Sequence, residues 1–246
     1  MPLPTIVTPT YELELPSTGK KVKYRPFLVK EEKLLVLALE TENTKDISTA
    51  IKTVLKNCIQ TRGIKVENLP TFDIEFLFLN IRGKSVGEEV EVNLIAPDDG
   101  ETQVPVTINI DDIKIQKTKG HTNKVKLDET LVMEMKYPSL DQFIKSNFDF
   151  TEEVNMDQSF DLIASSIDKI YNEEEVWSTA DCTKKEVKDF LEQMNSMQFK
   201  EIEKFFETMP KLSHSVTFTN PKTKVESTVA LEGLSSYFAK VWYTWI

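Results

Sequence analysis

The sequence is poor in the residues that most often carry enzyme chemistry or bind metals. Of its 246 residues, only two are cysteine and two are histidine. Two cysteines are too few for a disulfide framework, which fits a reducing compartment. Histidine is the commonest general base and a frequent metal ligand, so few side chains remain for either role.

Long apolar segments and signature motifs are also missing. No segment approaches the ~18 apolar residues that a membrane span needs, so we expect no membrane insertion. Residues 1–5 (MPLPT) have neither a basic nor an apolar stretch, and we expect no secretion signal there. The sequence has no Gly-x-Ser-x-Gly, His-Glu-x-x-His or Gly-x-x-x-x-Gly-Lys motif and no EF-hand loop. We therefore expect no catalytic residues, no metal site and no cofactor, and a hydrolase with an unrecognised carboxylate site is the weakest alternative.

Acidic residues outnumber basic ones. The chain has 40 Asp and Glu against 30 Lys and Arg, a formal net charge of −10. Such a charge repels phosphate on average, so nucleic acid is not an expected partner. Residues 19–25 (GKKVKYR) are the one basic stretch with an aromatic ring, and their alternation is more typical of the solvent face of an edge strand.

The first part of the chain alternates between strand and helix patterns. Residues 11–15 and 21–27 predict a β-hairpin around a turn at 16–19. A helix follows from Glu31, and we expect it to be buried because residues 34–39 are apolar on nearly every side. A second helix, from Asp46 to Ile59, has apolar residues at i, i+3, i+4 and i+7, which places Cys58 in the core.

Helix and strand signals continue toward the middle of the chain. Pro70 marks the start of a third helix that ends near Gly87. Alternating residues from 90 to 110 then predict a hairpin around a turn at 97–100. Short strands are expected at 113–115 and 131–135.

The last hundred residues are mainly helical in pattern. A capping box at 139–142 predicts one helix start, and a second helix is expected over 160–170, followed by a solvated helix start at 173–175. Another capping box begins at Cys182, which we expect to form a hydrophobic staple with Val187. The helices after it end before Pro210, and the pattern then predicts a hairpin over 216–229 with a turn at 220–223.

These elements define the fold class as α+β. Two hairpins have the skeleton of a zinc ribbon, which is a turn between paired strands. Their turns at 96–100 and 220–223 contain no cysteine thiolate, so we expect no zinc there. Each hairpin follows a helix, so the chain has either two related halves or a generic helix-plus-hairpin order. We expect one region at 1–137, with the first hairpin, three helices and the central hairpin, and another at 138–246.

The side chains with reactive groups have simpler structural explanations. His121 lies in a Lys- and Thr-rich loop, and His214 lies near a strand start, so we expect both to be solvated. The acidic pairs Asp98–Asp99 and Asp111–Asp112 are interpreted as turn residues.

The end of the chain carries the candidate interface. Its aromatic and apolar residues follow helical spacing, and two more lie off that stripe, so one face cannot cover them all. The predicted interface residues are Tyr237, Phe238, Val241, Trp242, Tyr243, Trp245 and Ile246. The alternative is that the stripe packs on the protein's own hairpin.

Three phrases of the sequence suggest a family. Residues 23–35 (KYRPFLVKEEKLL) resemble the N-terminal signature of the baseplate hub subunit family of T-even-like contractile-tailed bacteriophages. Residues 76–88 (FLFLNIRGKSVGE) agree with it, as do 209–212 (MPKL) with 232–234 (EGL). The phrases lie near both ends and in the middle, so the resemblance spans most of the chain.

The resemblance implies a structural or assembly protein that acts through protein contacts. It implies a late protein of the virion tail baseplate, assembled in the host cytoplasm. Other hub or tail proteins are the implied partners, and self-association is compatible with this role. A transient chaperone that is absent from the mature virion is the alternative. Some relatives carry cysteines in the hairpins, and here side-chain packing and turn hydrogen bonds should replace a metal.

Overall fold

The α+β class is confirmed by the arrangement of helices and strands. The computed structural model describes residues 6–41, 43–140, 142 and 156–232. The helices of this part are α1 (Val29–Glu40), α2 (Thr44–Cys58), α3 (Thr71–Val86), α4 (Met156–Ser165), α5 (Lys184–Glu192) and α6 (Ser196–Thr208). The strands are β1 (Tyr11–Glu14), β2 (Lys21–Tyr24), β3 (Glu89–Ile95), β4 (Gln103–Asn109), β5 (Lys114–Gln116), β6 (Lys124–Lys126), β7 (Val132–Met135), β8 (Ile167–Tyr171), β9 (Val176–Ser178), β10 (Lys211–Thr219) and β11 (Glu226–Glu232).

The chain divides into two compact units that interleave in sequence. The first unit contains the residues up to Val66, Phe72–Gln116 and the segment from Lys211 onward. The second contains Glu67–Thr71 and Lys117–Pro210. These units describe contacts in space, and the division into regions at 1–137 and 138–246 stays a prediction.

The first unit begins with the predicted hairpin and two packed helices. Strands β1 and β2 pair antiparallel, and Arg25 N–H donates to Cys58 C=O at 3.0 Å, which joins the hairpin to the end of α2. The helical spacing of α2 is confirmed, because Ala50, Ile51, Val54, Leu55 and Cys58 are all buried.

The expectation that α1 is buried on nearly every side is wrong. Leu35 and Ala38 are buried, but Leu37 is 50% exposed and Val29 is 79% exposed. The buried helix of this unit is α3. Its buried apolar side chains are Phe72, Ile74, Leu77, Phe78, Leu79 and Ile81. A continuous apolar run shows no preferred face, so it cannot tell a half-exposed helix from a buried one.

The second part of the first unit is built from strands that share one core. Strands β3 and β4 form the predicted hairpin and pair over their full length, with Val92 opposite Val106. A second sheet has the order β11-β10-β5. Both sheets contribute to a single cluster of buried residues: Leu79, Val90, Val92, Leu94, Ala96, Ile108, Ile110, Ile113, Leu212, Val216, Phe218 and Leu231.

The second unit is a four-stranded antiparallel sheet covered by helices. Its strand order is β6-β7-β8-β9, so each strand pairs with its neighbour in sequence. Helices α4, α5 and α6 supply the other half of the core, whose fully enclosed members include Met133, Ile167, Ile202 and Phe205. The capping box of α5 is confirmed, with Glu186 and Thr183 as the reciprocal pair.

Two elements of this unit differ from the sequence prediction. The helix expected to reach residue 170 ends at Ser165, and Ile167–Tyr171 form strand β8. Strand β8 pairs with β7, and its β-branched Ile167, opposite Met135, is completely buried, which outweighs local helical spacing. Residues 173–175 form the turn between β8 and β9 and do not start a helix, because the Asn172 side chain caps that turn.

The helix-plus-hairpin order occurs twice, as the sequence predicts. Helix α3 and hairpin β3–β4 belong to the same unit, but α6 and hairpin β10–β11 belong to different units. The recurrence therefore lies in the order of the elements, and related halves stay a prediction.

Candidate functional site

Three hairpins of the first unit close with the same backbone turn. Each turn starts with an X-Pro dipeptide, at Leu15, Ala96 and Asn220. The carbonyl of that first residue accepts the N–H four residues later, at 2.7, 2.9 and 2.9 Å. The donors are Gly19, Gly100 and Lys224, and all three have a left-handed φ between 63° and 69°. Proline fixes the first turn dihedral, so these turns are predefined by the sequence.

The tips of hairpins β3–β4 and β10–β11 are bound to each other by side chains. Asn220 is completely buried, and its Nδ2 donates to both Asp98 carboxylate oxygens at 3.1 Å and to Asp99 at 3.0 Å. Thr223 Oγ1 donates to Asp98 as well. We call Asp98, Asp99, Asn220 and Thr223 the tip clamp. Asp98 and Asp99 are turn residues, as the sequence predicts, but their partner is 121 or more residues away.

The tip clamp has the chemistry of a structural contact. Hydrogen bonds from Thr223 and Asn220 lower the pKa of Asp98. The pKa of Asp99 is lowered further, by Thr102 first and by Asn220 and Glu101 N–H as well. Both carboxylates are therefore ionised at neutral pH and have their oxygens occupied by donors. Neither is poised to give or take a proton, so the pair suits fixing the loops better than acid–base catalysis.

The tip of hairpin β1–β2 is held by a different carboxylate. Asp73, which is completely buried on α3, accepts from Ser17 N–H at 3.0 Å and from the Ser17 hydroxyl. All three X-Pro turns are thus fixed by side-chain carboxylates.

His121 is not the solvated residue that the sequence suggests. Its ring is half-buried, with Nδ1 2.9 Å from Thr208 Oγ1 and Nε2 2.9 Å from Tyr137 Oη. It stacks on Tyr137 and lies against Phe205 of α6. Burial lowers its pKa. The surrounding Lys and Thr residues gave no sign of this packing, because the partners lie 16 and 87 residues away.

The two cysteines have different environments. Cys58 is completely buried, as predicted, and burial raises the pKa of its thiol to about 11, so it is an unreactive core residue. Cys182 is exposed, and its Sγ donates to Ser178 C=O at 3.4 Å. Its exposure argues against the predicted burial beside Val187 in a staple.

The second unit contains a cleft of about 660 Å³ beside α4 and α5. Its polar lining includes Lys136, Asp161, Thr179 and Lys184. Asp161 is 2.6 Å from Lys188 Nζ, and Thr179 donates to the carbonyl of Ile167 at 2.6 Å. Asp161 and Thr179 therefore have partners within the fold. The Ser165 hydroxyl and the Cys182 thiol, which also line the cleft, donate to the carbonyls of Leu162 and Ser178 and not to a basic side chain.

The structure locates only some of the other residues that the sequence singles out. Tyr237, Phe238, Val241, Trp242, Tyr243, Trp245 and Ile246 lie outside the described residues. His214 is half-buried on β10. Among the described residues, no group of three or more His, Cys, Asp or Glu is arranged to hold a metal ion, and no helix has the length and hydropathy to cross a membrane.

Several large apolar side chains are exposed and could contact other proteins. They include Val29 and Leu37 of α1, Met197 of α6, and Val176 and Trp177 of β9. Trp177 is 42% exposed at the edge of the second-unit sheet. Sequence analysis missed it, because a three-residue strand after an acidic turn gives too little periodicity to recognise.

Comparison with known proteins assigns a family to nearly the whole chain. A family model described as T4 bacteriophage base plate protein matches residues 8–239. No curated protein and no solved structure gives a significant match.

Proposed function

Because the chain belongs to the T4 bacteriophage base plate protein family, we propose that it is a structural or assembly protein of the central hub of the tail baseplate. The observation that carries the proposal is the family match, which includes both compact units. The agreement of residues 23–35 with the hub subunit signature supports the hub within the baseplate.

The geometry of the first unit supports a structural role. Three hairpin tips are fixed by side-chain hydrogen bonds, so their loops present defined surfaces. Preformed surfaces of this kind lose little conformational entropy on binding. In the described part of the chain, the Ser165 hydroxyl and Cys182 thiol of the cleft donate to backbone carbonyls, and the role that we propose includes no catalytic step.

The partners that we propose are other hub or tail proteins. The net charge of −10 disfavours contacts with nucleic acid phosphates. We propose that the aromatic residues at 237–246 form one contact, because large aromatic side chains dominate many binding interfaces. The protein would reach the virion baseplate from the host cytoplasm during late assembly.

Quantitative mass spectrometry of purified virions tests this role. A hub component should be present in a fixed ratio to the other baseplate proteins. Absence from virions, with co-purification on hub intermediates from infected cells, would instead identify a transient assembly chaperone. Absence from both would contradict a role in the hub.

A further inference from the structure

The sheet of the second unit has two outer edges. In the order β6-β7-β8-β9, the inner strands are paired on both sides, and within the described part of the chain no strand pairs with the outer side of β6 or β9. Such an edge presents backbone donors and acceptors to any strand that can lie beside it.

The backbone groups of β6 that face outward can be identified from its pairing. Met135 N–H donates to Asn123 C=O at 2.7 Å, so Asn123 belongs to a bonded pair with β7. Bonded and outward-facing residues alternate along an antiparallel strand, which turns the backbone of Lys124 and Lys126 outward. Thr122 Oγ1 accepts the Lys124 N–H at 3.2 Å, which leaves Lys126 as the more available of the two.

The same reasoning applies to β9 at the opposite edge. Asn172 N–H donates to Glu175 C=O at 3.0 Å, which turns the backbone of Val176 and Ser178 outward. Ser178 C=O accepts from Cys182 Sγ, so the available groups are mainly those of Val176. The Val176 side chain is 66% exposed as well.

The two edges carry opposite charges. Residues 117–126 contain four lysines, at 117, 119, 124 and 126, and no acidic residue. The turn that leads into β9 contains the exposed residues Glu173, Glu174 and Glu175, and residues 172–183 contain no basic residue. Like charges oppose pairing of β6 with β6 or of β9 with β9, but they favour pairing of β6 with β9.

The strand directions also suit pairing of unlike edges. All three neighbouring pairs in the sheet are antiparallel, so β9 runs opposite to β6. A second copy placed beside β9 in the same orientation would bring its β6 antiparallel to β9. The alternating order of the sheet would then continue from one copy into the next.

From this arrangement we infer that the protein associates with itself head to tail, the basic β6 edge of one copy pairing with the acidic β9 edge of another. This is a heterologous contact, which produces a ring when the rotation between copies closes and an open chain when it does not. The contact goes beyond the proposed place of the protein in the hub and does not depend on it.

Sedimentation velocity of the purified full chain tests the contact through charge reversal. The mean mass should rise with concentration at low ionic strength, and the association constant should fall on the order of tenfold at high salt. K124E/K126E and E173K/E174K/E175K should each abolish association. The first makes strand β6 itself acidic like the β9 edge, although Lys117 and Lys119 remain, and the second makes both edges basic. K20E/K65E is the matched control for K124E/K126E, since it changes the net charge equally at exposed lysines of the first unit.

Two recombinations of these variants separate edge pairing from a general charge effect. An equimolar mixture of K124E/K126E and E173K/E174K/E175K should associate, since acidic edges then meet basic ones. A chain with all five substitutions should associate with itself again. Circular dichroism confirms that each variant is folded, and a loss of association that the mixture and the five-fold variant do not restore overturns the inference.

Amide hydrogen exchange gives a second readout that needs no substitution. Exchange at Val176 and Lys126 should slow as the wild-type protein is concentrated, whereas Trp177 N–H, which faces β8, should not change. A wild-type chain that remains monomeric up to about 100 μM at low salt also overturns the inference, including the case in which another segment of the same chain covers an edge.

Discussion

The Nδ2 atom of Asn220 lies 3.1 Å from each carboxylate oxygen of Asp98, although the two residues belong to different hairpins. An amide nitrogen is the only group of this side chain that can donate. Its oxygen accepts from Lys222 N–H at 2.9 Å, so both ends of the amide are used. The contact connects the turns of two sheets that share one core.

Asn220→Asp should destabilise the first unit. The change keeps the acceptor for Lys222 N–H and replaces the donor with a third carboxylate in a buried position. We expect the free energy of unfolding at pH 7 to fall by about 2 kcal/mol or more, because a charge-assisted hydrogen bond is lost and repulsion is added. Urea denaturation at pH 7 and near pH 4 measures this.

The pH dependence of that variant distinguishes charge from shape. The repelled carboxylate has a raised pKa in the folded state, so protonation should recover part of the stability as the pH falls. Asn220→Ala removes the donor without adding charge and should show no such recovery. Equal losses for both variants at both pH values would contradict the role of charge.

Lys224 occupies a position where the other two turns have glycine. Its φ of 63° is left-handed, a conformation that strains a residue with a Cβ. Lys224→Gly should therefore raise the free energy of unfolding by about 0.5–1 kcal/mol, the released strain being partly offset by backbone entropy. Thermal unfolding of the variant and the wild type provides the comparison.

Gly100→Ala is the converse test, at the equivalent position of the turn between β3 and β4. Gly100 has a φ of 69°, and an added Cβ would meet no atom within 4 Å, so any loss comes from backbone strain alone. We expect a decrease of about 1 kcal/mol in the free energy of unfolding. A neutral result would mean that these turns tolerate side chains without strain.

Much of the fold follows from the sequence wherever the period is regular. Strands β3 and β4 and helix α2 show their periods over many residues, and the structure reproduces their buried faces. The spacing of residues 166–170 predicts a helix, but residues 167–170 pair with β7 as a strand. No local pattern reveals that pairing. Strand β6 is missed because three residues, two of them lysine, give no usable period.

The side-chain contacts are the part that sequence cannot supply. Asp98 and Asp99 are recognisable as turn residues, but the choice of Asn220 as their partner depends on how two sheets meet across the shared core. The partners of His121 are equally hidden from the sequence, since Tyr137 lies just after β7 and Thr208 lies at the end of α6. Local propensity fixes elements, whereas such contacts depend on tertiary packing.

The His121 cluster should make stability depend on pH. Thr208 Oγ1 donates to Lys204 C=O at 2.6 Å, so it accepts from His121 Nδ1–H, and Nε2 accepts from the Tyr137 hydroxyl. Protonation would place a second donor against that hydroxyl. Because burial lowers the folded pKa, stability should be complete above about pH 6.5 and decrease as the pH falls from there toward the folded pKa.

Variants of the two histidines separate this effect from general acid sensitivity. His121→Gln removes the titrating group and should flatten the dependence of the unfolding midpoint between about pH 5 and pH 7. His214→Gln, on β10, removes the other histidine of the chain and serves as the comparison. A wild-type slope in the His121 variant would assign the effect to other groups.

Glu31→Gln should expose the cost of an unpaired buried charge. Glu31 is 1% exposed, and it accepts from Arg25 Nη2 at 3.0 Å and from Leu28 N–H at 2.9 Å. Burial acts to raise its pKa, but the bonds from Arg25 and Leu28 hold the pKa below its usual value. We expect a loss of about 2–4 kcal/mol at pH 7, because Arg25 keeps its charge without a countercharge.

The loss should depend on pH in a defined direction. A carboxylate with a lowered folded pKa stabilises the fold above its unfolded pKa, near 4.3, and that contribution disappears as the pH falls through the folded value. The difference between the wild type and Glu31→Gln should therefore shrink below about pH 4. Glu32→Gln is the matched control and should cost less than about 1 kcal/mol, through the helix dipole alone.

The aromatic end of the chain, which lies outside the described residues, should be needed for binding to the hub. The sequence places Trp242 and Trp245 on one helical stripe, with Tyr243 and Ile246 off it, so a single intramolecular face would leave apolar area uncovered. Each buried aromatic anchor can contribute on the order of 2 kcal/mol to binding. Deletion of residues 242–246 should leave a folded protein that no longer joins hub intermediates.

Complementation of a phage that lacks the protein provides the measurement, with circular dichroism of the purified truncated chain alongside it. Ser235→Ala and Ser236→Ala, just before the stripe, are the matched controls and should complement normally. Normal assembly of the truncated chain would show that the anchors are not needed for binding. Unfolding of the truncated chain would place the aromatic stripe in the core of the protein itself, because burial of the two tryptophans would then be part of folding and not of association.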